Sequence, residues 1–148
     1  MQALIAGLGR IFLGSVFLFW SLSSILNWDA AMTDLQSHLS LYLTHLVPNS
    51  SAILSPWATL LLSLFVAFGI LGSICLIFGT GVRFGAFLLL LVLVPTTLIV
   101  HHFWSLQGPE REKAFALFMM NVSICGGLLL ALAYGGKRSK KAASGTQP

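Results

Sequence analysis

Charge is what this sequence has least of: eight Lys or Arg and four Asp or Glu make up 8% of 148 residues. A soluble domain carries about 25% charged residues to solvate its surface. An ordinary water-soluble fold is therefore excluded, as are a disordered chain and a collagen-like repeat. The net charge of +4 reflects scarce acids rather than a basic surface, and half of the cations are Lys137, Arg138, Lys140 and Lys141. That pattern makes no nucleic-acid patch, and no nucleic acid is expected as a partner. Cysteine is nearly missing as well: Cys75 and Cys125 cannot build a disulfide framework and stand in no CxxC or Cys/His metal spacing. No metal centre is expected. Phosphate loop, Ser/His/Asp spacing and dinucleotide fingerprint are all lacking, and Gly7-Leu8-Gly9-Arg10 inside an apolar run does not count as one.

What is present is hydrocarbon, at 57% of residues. Crossing a bilayer core roughly 30 Å thick takes about 20 apolar residues, and four such runs occur, Leu4 to Leu26, Trp57 to Phe78, Val82 to Trp104 and Ala114 to Tyr134. Backbone amides in lipid must be satisfied within their own segment, so each run is expected to be helical despite its Val, Ile and Phe. The expected fold is all-α, a membrane-embedded four-helix bundle over residues 1–136, with lipid as its main solvent. The first run lacks a basic leader and a small-x-small cleavage pattern, so it reads as a retained span. Residues 137–148, basic and rich in Ala, Ser and Gly, read as a disordered cytoplasmic tail able to touch anionic lipid.

Lys and Arg in short loops mark the cytoplasmic side. Arg83 lies in the tight turn between spans two and three, and the tail adds four cations. Both termini are thus expected in the cytoplasm, in a multi-pass protein of the cell membrane. Trp28, Trp57 and Trp104 then fall at outer ends, where indoles suit the headgroup level. Arg10, inside span one, reads as an anchor that snorkels to the inner interface, with a functional charge as the alternative.

Small residues should mediate close helix approach, because lipid offers no hydrophobic drive between helices. Candidate seams are Ser123, Gly127 and Ala131 on span four, Gly69 and Ser73 on span two, and Gly81 and Gly85 opening span three. Pro95 should bend span three, with Thr96 and Thr97 re-satisfying a freed carbonyl. Cys75 and Cys125 differ in depth by about six residues, roughly 9 Å, which is beyond disulfide reach.

About thirty residues separate spans one and two, too many for a featureless loop. From Ala30 to Leu46, residues Met32, Leu35, Leu39, Tyr42 and Leu46 share one helical face. An amphipathic helix on the outer membrane surface is expected. Asp34, His38 and His45 form a second stripe, suited to proton relay or metal binding, or simply to facing headgroups. Span three ends in His101-His102-Phe103-Trp104, followed by an acidic turn with Glu110 and Glu112. Imidazoles beside an aromatic surface can accept protons or hydrogen-bond a quinone headgroup, and they equally suit interfacial anchoring.

The stretch from His101 through Glu112, running into Phe118-Met-Met-Asn-Val-Ser-Ile-Cys-Gly-Gly-Leu-Leu-Leu, resembles the last third of DoxX-family membrane proteins. Those show a His-x-Phe-Trp end to span three and a Lys-Asn then Gly-Gly-Leu-Leu run in span four. The Arg10-Ile-Phe-Leu-Gly opening and the Leu76-Ile-Phe-Gly-Thr-Gly-Val-Arg83 turn are similar to family motifs too, and the resemblance spans most of residues 4–134. Matching positions are Arg10, Arg83, His101, Phe103, Trp104, Asn121, Gly126 and Gly127. Three positions depart: Ser24, Gly69 and Met120 stand where charged residues are frequent. Buried charges tend to come in paired sets, so a joint loss of one ion-pair site is expected.

The resemblance implies a membrane partner in redox or oxidative-stress complexes, since the family takes its name from subunits of a thiosulfate:quinone oxidoreductase. The leading expectation is a non-catalytic subunit of a quinone-linked complex, with protein partners or a second copy of the chain. The alternatives are a quinone-reactive oxidoreductase subunit using His101 and His102, and a small-solute transporter or channel.

Overall fold

The computed structural model describes residues 2–43, 51–101 and 103–135. Among them are five α-helices and no strand: α1 (Gln2–Leu26), α2 (Trp28–Leu43), α3 (Ser51–Phe78), α4 (Val82–Val100) and α5 (Pro109–Tyr134), with a 3-10 turn at Phe103–Ser105. α1, α3, α4 and α5 each contain a stretch long and apolar enough to cross a membrane. The all-α bundle expected from the apolar runs is the fold observed. The tail 137–148, His45, Leu46 and His102 lie outside the described residues.

Local sequence explains the boundaries. α1 is interrupted for one residue at Asn27, whose amide N and side-chain Nδ2 both donate to the Ser23 carbonyl, at 3.0 and 3.2 Å. The α3–α4 reversal uses Gly79 and Gly81 at φ +73° and +68°, a region open to glycine and strained for other residues. Gly81 thus serves the turn, and it is Gly85 that makes the helix contact. α5 begins where Gly108, at φ +63°, precedes Pro109. A proline at N1 sacrifices no hydrogen bond, and Glu110 and Glu112 in the first turn face the positive end of the helix dipole. The fourth helix therefore starts five residues before the expected Ala114, and the third stops at Val100, leaving Trp104 in the 3-10 turn. α3 starts before Pro56, which sits inside the helix.

The helices pack in the order α1–α3–α4–α5, and α1 meets α5 only narrowly. α3 and α4 cross closely. A methyl group at Gly72 would lie 2.9 Å from the Gly85 carbonyl oxygen, and one at Gly85 would lie 2.8 Å from that of Gly72. α1 approaches α3 in the same manner, with Gly14 against the Ser73 carbonyl and Gly69 against the Ser21 hydroxyl. Below this seam Leu76, Leu89 and Leu128 are fully buried with Phe17, Ala86 and Leu93 around them. On α5, Gly127 touches Leu13, whereas Gly126 has nothing within 4 Å and Ser123 faces outward. Of the seam expected along Ser123, Gly127 and Ala131, the outer member Ser123 is thus exposed, while Gly127 and Ala131 face the bundle.

Two arginines close the Gly79 end. Arg83 Nη2 donates to the Ala133 carbonyl at 3.0 Å, satisfying a last-turn acceptor of α5 as basic side chains do at helix C-termini. Arg10 reaches the α3–α4 turn, where its Nη1 lies 3.5 Å from the position a Gly79 Cβ would occupy. At the other end lies α2, the helix expected between spans one and two, which turns part of its apolar side onto α3. Leu35 is buried with Ala58, Leu62 and Val66 of α3, and Trp28, Ala31 and Met32 pack beside it. Of the expected stripe, Met32 and Leu35 thus face protein, in one cluster with the small Ala58.

Candidate functional site

Between α1, α4 and α5, in the half of the bundle nearer Asn27, the helices enclose a cavity of about 430 Å³ that α2 and α3 complete. That volume is in the range of small-molecule sites. It extends along α4 from Val92 to His101, nine residues or roughly 13 Å at 1.5 Å per residue. Its walls are Val16, Phe17 and Trp20 of α1, Leu62 and Phe65 of α3, and Val92 and Leu93 of α4. The polar groups are few and separated: Asn121 and Thr96 deep, Ser24 on α1, His101 and Asp34 toward the Asn27 end.

Hydrogen bonds fix what those groups can offer. Thr97 Oγ1 donates to the Leu93 carbonyl at 2.6 Å. Its proton being committed, it can only accept from Asn121, whose Nδ2 donates to it at 3.1 Å. This orients the amide, and Asn121 Oδ1 is left as an acceptor with no donor among the described residues. Thr96 donates to Val92 and Leu93 carbonyls at 2.7 and 3.1 Å, and Ser24 to the Trp20 carbonyl at 3.0 Å. Both hydroxyls therefore have spent their protons on backbone and retain lone pairs. With the Asp34 carboxylate added, the cavity is rich in acceptors and poor in donors. The threonines after Pro95 serve Val92 and Leu93, not Leu91, the carbonyl that the proline leaves. α4 nonetheless continues to Val100.

Of the residues singled out by sequence, Asp34 and His101 both line the cavity. His38 stands one turn along α2 from Asp34, with Nε2 3.5 Å from Oδ1. Trp104, Glu110 and Glu112 lie elsewhere. Trp104 packs edge-on against Phe103, which also meets Phe115 and Phe118 at about the same separation, 5.2 to 5.3 Å between ring centres. This aromatic cluster fastens the 3-10 turn to α5. Glu110 Oε1 lies 3.4 Å from Lys113 Nζ on the exposed first turn. Among the described residues no three His, Cys, Asp or Glu side chains gather as metal ligands. Asn121 enters the site directly, whereas its family-matching neighbour Gly126 faces outward and Gly127 serves packing.

The three departing positions do not converge. Gly69 is packed on Ser21, Ser24 lines the cavity, and Met120 is 61% exposed on the outer face of α5. Sequence reasoning overlooked Trp20, Phe17 and Phe65. The one available signal was Trp20, an indole about 9 Å inside the end of its span rather than at the headgroup level.

No curated protein and no solved structure matches this chain. A family model described as DoxX matches residues 5–102, about two thirds of the sequence, taking in α1 to α4 and stopping before α5. The motifs of the last third thus lie beyond the match, while the Arg10 opening and the Gly79–Arg83 turn lie within it. Matched over most of its length and carrying four apolar spans, this multi-pass membrane protein belongs to the DoxX family.

Proposed function

We propose that the chain is a non-catalytic membrane subunit of a quinone-linked redox system, which holds a hydroxylated ring of the quinone class in its cavity and presents it to a partner protein. The observation that supports this reading is the acceptor-rich, aromatic-walled cavity itself. A quinol carries two hydroxyl donors on a flat ring, and Asn121 Oδ1, Thr96 Oγ1 and Ser24 Oγ supply acceptors between the rings of Phe17, Trp20 and Phe65. A quinone, which only accepts, finds few donors there. The residues present therefore fit the reduced form better, since an acceptor facing an acceptor leaves both unpaired. When bound, such a group supplies two electrons and two protons to a partner. The protein's own part is to orient the ring and to keep water from it, with His101 and Asp34 toward the Asn27 end as groups able to hold a proton.

A through-channel is less well supported, because Leu76, Leu89 and Leu128 are fully buried and close the bundle beneath Asn121. For topology, we read both termini as cytoplasmic in a cell membrane, on the strength of Arg83 and the four tail cations. The cavity mouth then faces outward.

The test is binding of short-chain quinol and quinone analogues to the protein in lipid nanodiscs. Saturable quenching of tryptophan fluorescence is expected, tighter for the quinol and abolished in Trp20→Phe. Asn121→Leu should weaken quinol binding about tenfold, the equivalent of one hydrogen bond near 1.4 kcal/mol. Equal binding of both oxidation states, or quinol binding indifferent to Asn121→Leu, would refute the assignment.

A further inference from the structure

The second unusual feature lies at the opposite end of the bundle and owes nothing to the cavity. Arg10 projects from within α1 to the α3–α4 turn, its guanidinium over Gly79. Among the described residues it makes no hydrogen bond and no ion pair, and its Nε is buried without an acceptor. A buried charged donor with no acceptor is costly, so such groups are normally paired. No carboxylate side chain of this protein is near enough to pair with it: the four are Asp29, Asp34, Glu110 and Glu112. Sixteen residues of α1 separate Arg10 from Leu26, and Asp29 comes later still, so the nearest carboxylate is over 20 Å away along the axis, by about 1.5 Å per residue. Residues 113–148 contain no Asp or Glu at all.

The surroundings select the missing partner. The turn lies at the end of α3 and the start of α4, where lipid headgroups meet a spanning helix. Gly79 removes the side chain that would otherwise cover the guanidinium. Arg83, four residues on, spends Nη2 on the Ala133 carbonyl and keeps its charge. Lys137, Arg138, Lys140 and Lys141 follow α5 in sequence directly after that same end. Among the described residues, Arg10 and Arg83 without an acid give this end a net positive potential, and the planar fork of arginine matches two oxygens of a phosphate.

We propose that Arg10, above Gly79, binds the phosphate of an anionic phospholipid. The lipid headgroup neutralises the guanidinium, and Arg83 adds to the positive field without being spent on the phosphate. This gives the interior arginine of α1 a ligand, not merely a snorkelling path to water.

The full-length protein, delipidated in mild detergent, is titrated with phosphatidylglycerol, with phosphatidylcholine and with inorganic phosphate, and retention is read by native mass spectrometry together with the thermal midpoint. Phosphatidylglycerol should be retained and should raise the midpoint, phosphatidylcholine much less, and inorganic phosphate not at all. In Arg10→Gln, which keeps the whole basic tail, the apparent affinity for phosphatidylglycerol should fall at least about tenfold, as expected when a charge-assisted bidentate contact is lost. Arg10→Lys keeps the charge and loses the fork, and a fall of about threefold is expected. If Arg10→Gln does not fold, Arg10→Lys decides the matter. Equal retention of the two lipids, an unchanged preference in the Arg10 variants, or full stabilisation by inorganic phosphate would each overturn the proposal. None of these outcomes bears on quinol binding.

Discussion

The contact between Gly72 and Gly85 makes a sharp prediction about which glycines matter. Replacing Gly72 by alanine places a methyl group 2.7 Å from Leu89 Cγ and 2.9 Å from the Gly85 carbonyl oxygen. Leu89 is fully buried and has little room to yield, and the carbonyl belongs to the backbone of α4. The helices must therefore separate by several tenths of an ångström, and overpacking of this kind costs about 1 to 3 kcal/mol. Gly126 provides the opposite case on a neighbouring helix. With nothing within 4 Å, its methyl meets only lipid, and alanine gains about 1 kcal/mol of helix propensity. The two substitutions are chemically identical, yet they should shift stability in opposite directions.

The measurement is equilibrium unfolding in mixed micelles of mild detergent and dodecyl sulfate, followed by circular dichroism. Gly85→Ala should resemble Gly72→Ala, since its methyl would lie 2.7 Å from Cys75 Cβ and 2.8 Å from the Gly72 carbonyl oxygen. Both variants force the same crossing apart. The double variant should consequently cost less than the sum of the singles, by at least about 0.5 kcal/mol. A Gly126→Ala variant as unstable as Gly72→Ala, or strictly additive costs at Gly72 and Gly85, would refute the crossing as described.

Two further predictions use the same assay. Thr97→Val removes the acceptor of Asn121 Nδ2, and a single loss should cost about 1 to 2 kcal/mol. Adding Asn121→Leu should recover part of that cost, whereas additive losses would mean that the 3.1 Å bond contributes little. Gly69→Glu and Met120→Lys should each be destabilising, and their combination should equal the sum within about 0.5 kcal/mol, because Gly69 is packed on Ser21 while Met120 faces outward. Mutual rescue would restore the idea that these positions once shared an ion pair.

Much of the fold was legible because lipid simplifies the code. A backbone that must satisfy itself within a segment has to be helical, and uninterrupted apolar length then locates α1, α3, α4 and α5. The errors concern ends and faces. Val82–Trp104 was too long and Ala114 too late because hydropathy reports what lipid tolerates, whereas the helix start is set by Gly108 and Pro109, a backbone signal available in the sequence. The role of Gly85 was legible, while Gly72 and Gly14 were not, since glycines at helical spacing look alike until the partner helix is known. Asp34 and His101, 67 positions apart in sequence, both line one cavity. Their types suggested chemistry, but only the folded chain, in which α2 packs on α3 and α4, brings them to one cavity. Ser24, read as a loss of charge, is a lining hydroxyl.

The distribution of small residues also accounts for where the protein is solid and where it is hollow. Lipid does not drive helices together, so they close only where side chains permit contact. Gly72 with Gly85, Gly14 with Ser73, and Gly69 with Ser21 bind α1, α3 and α4 into a spine. α5 joins that spine through Leu128 and through Gly127 against Leu13, in the half nearer the Gly79 turn. Nearer Asn27, no such pair links α1 to α5. There the facing residues are Trp20 and Phe17 on one side and Asn121 and Ile124 on the other. Bulky side chains hold the two helices apart, and the space between them is the cavity. A ligand there would lie between two helices that meet only narrowly, with the fully buried leucines closing its inner end. On the function proposed above, a partner exchanging electrons with the ligand would meet it from the half of the molecule nearer Asn27 and α2.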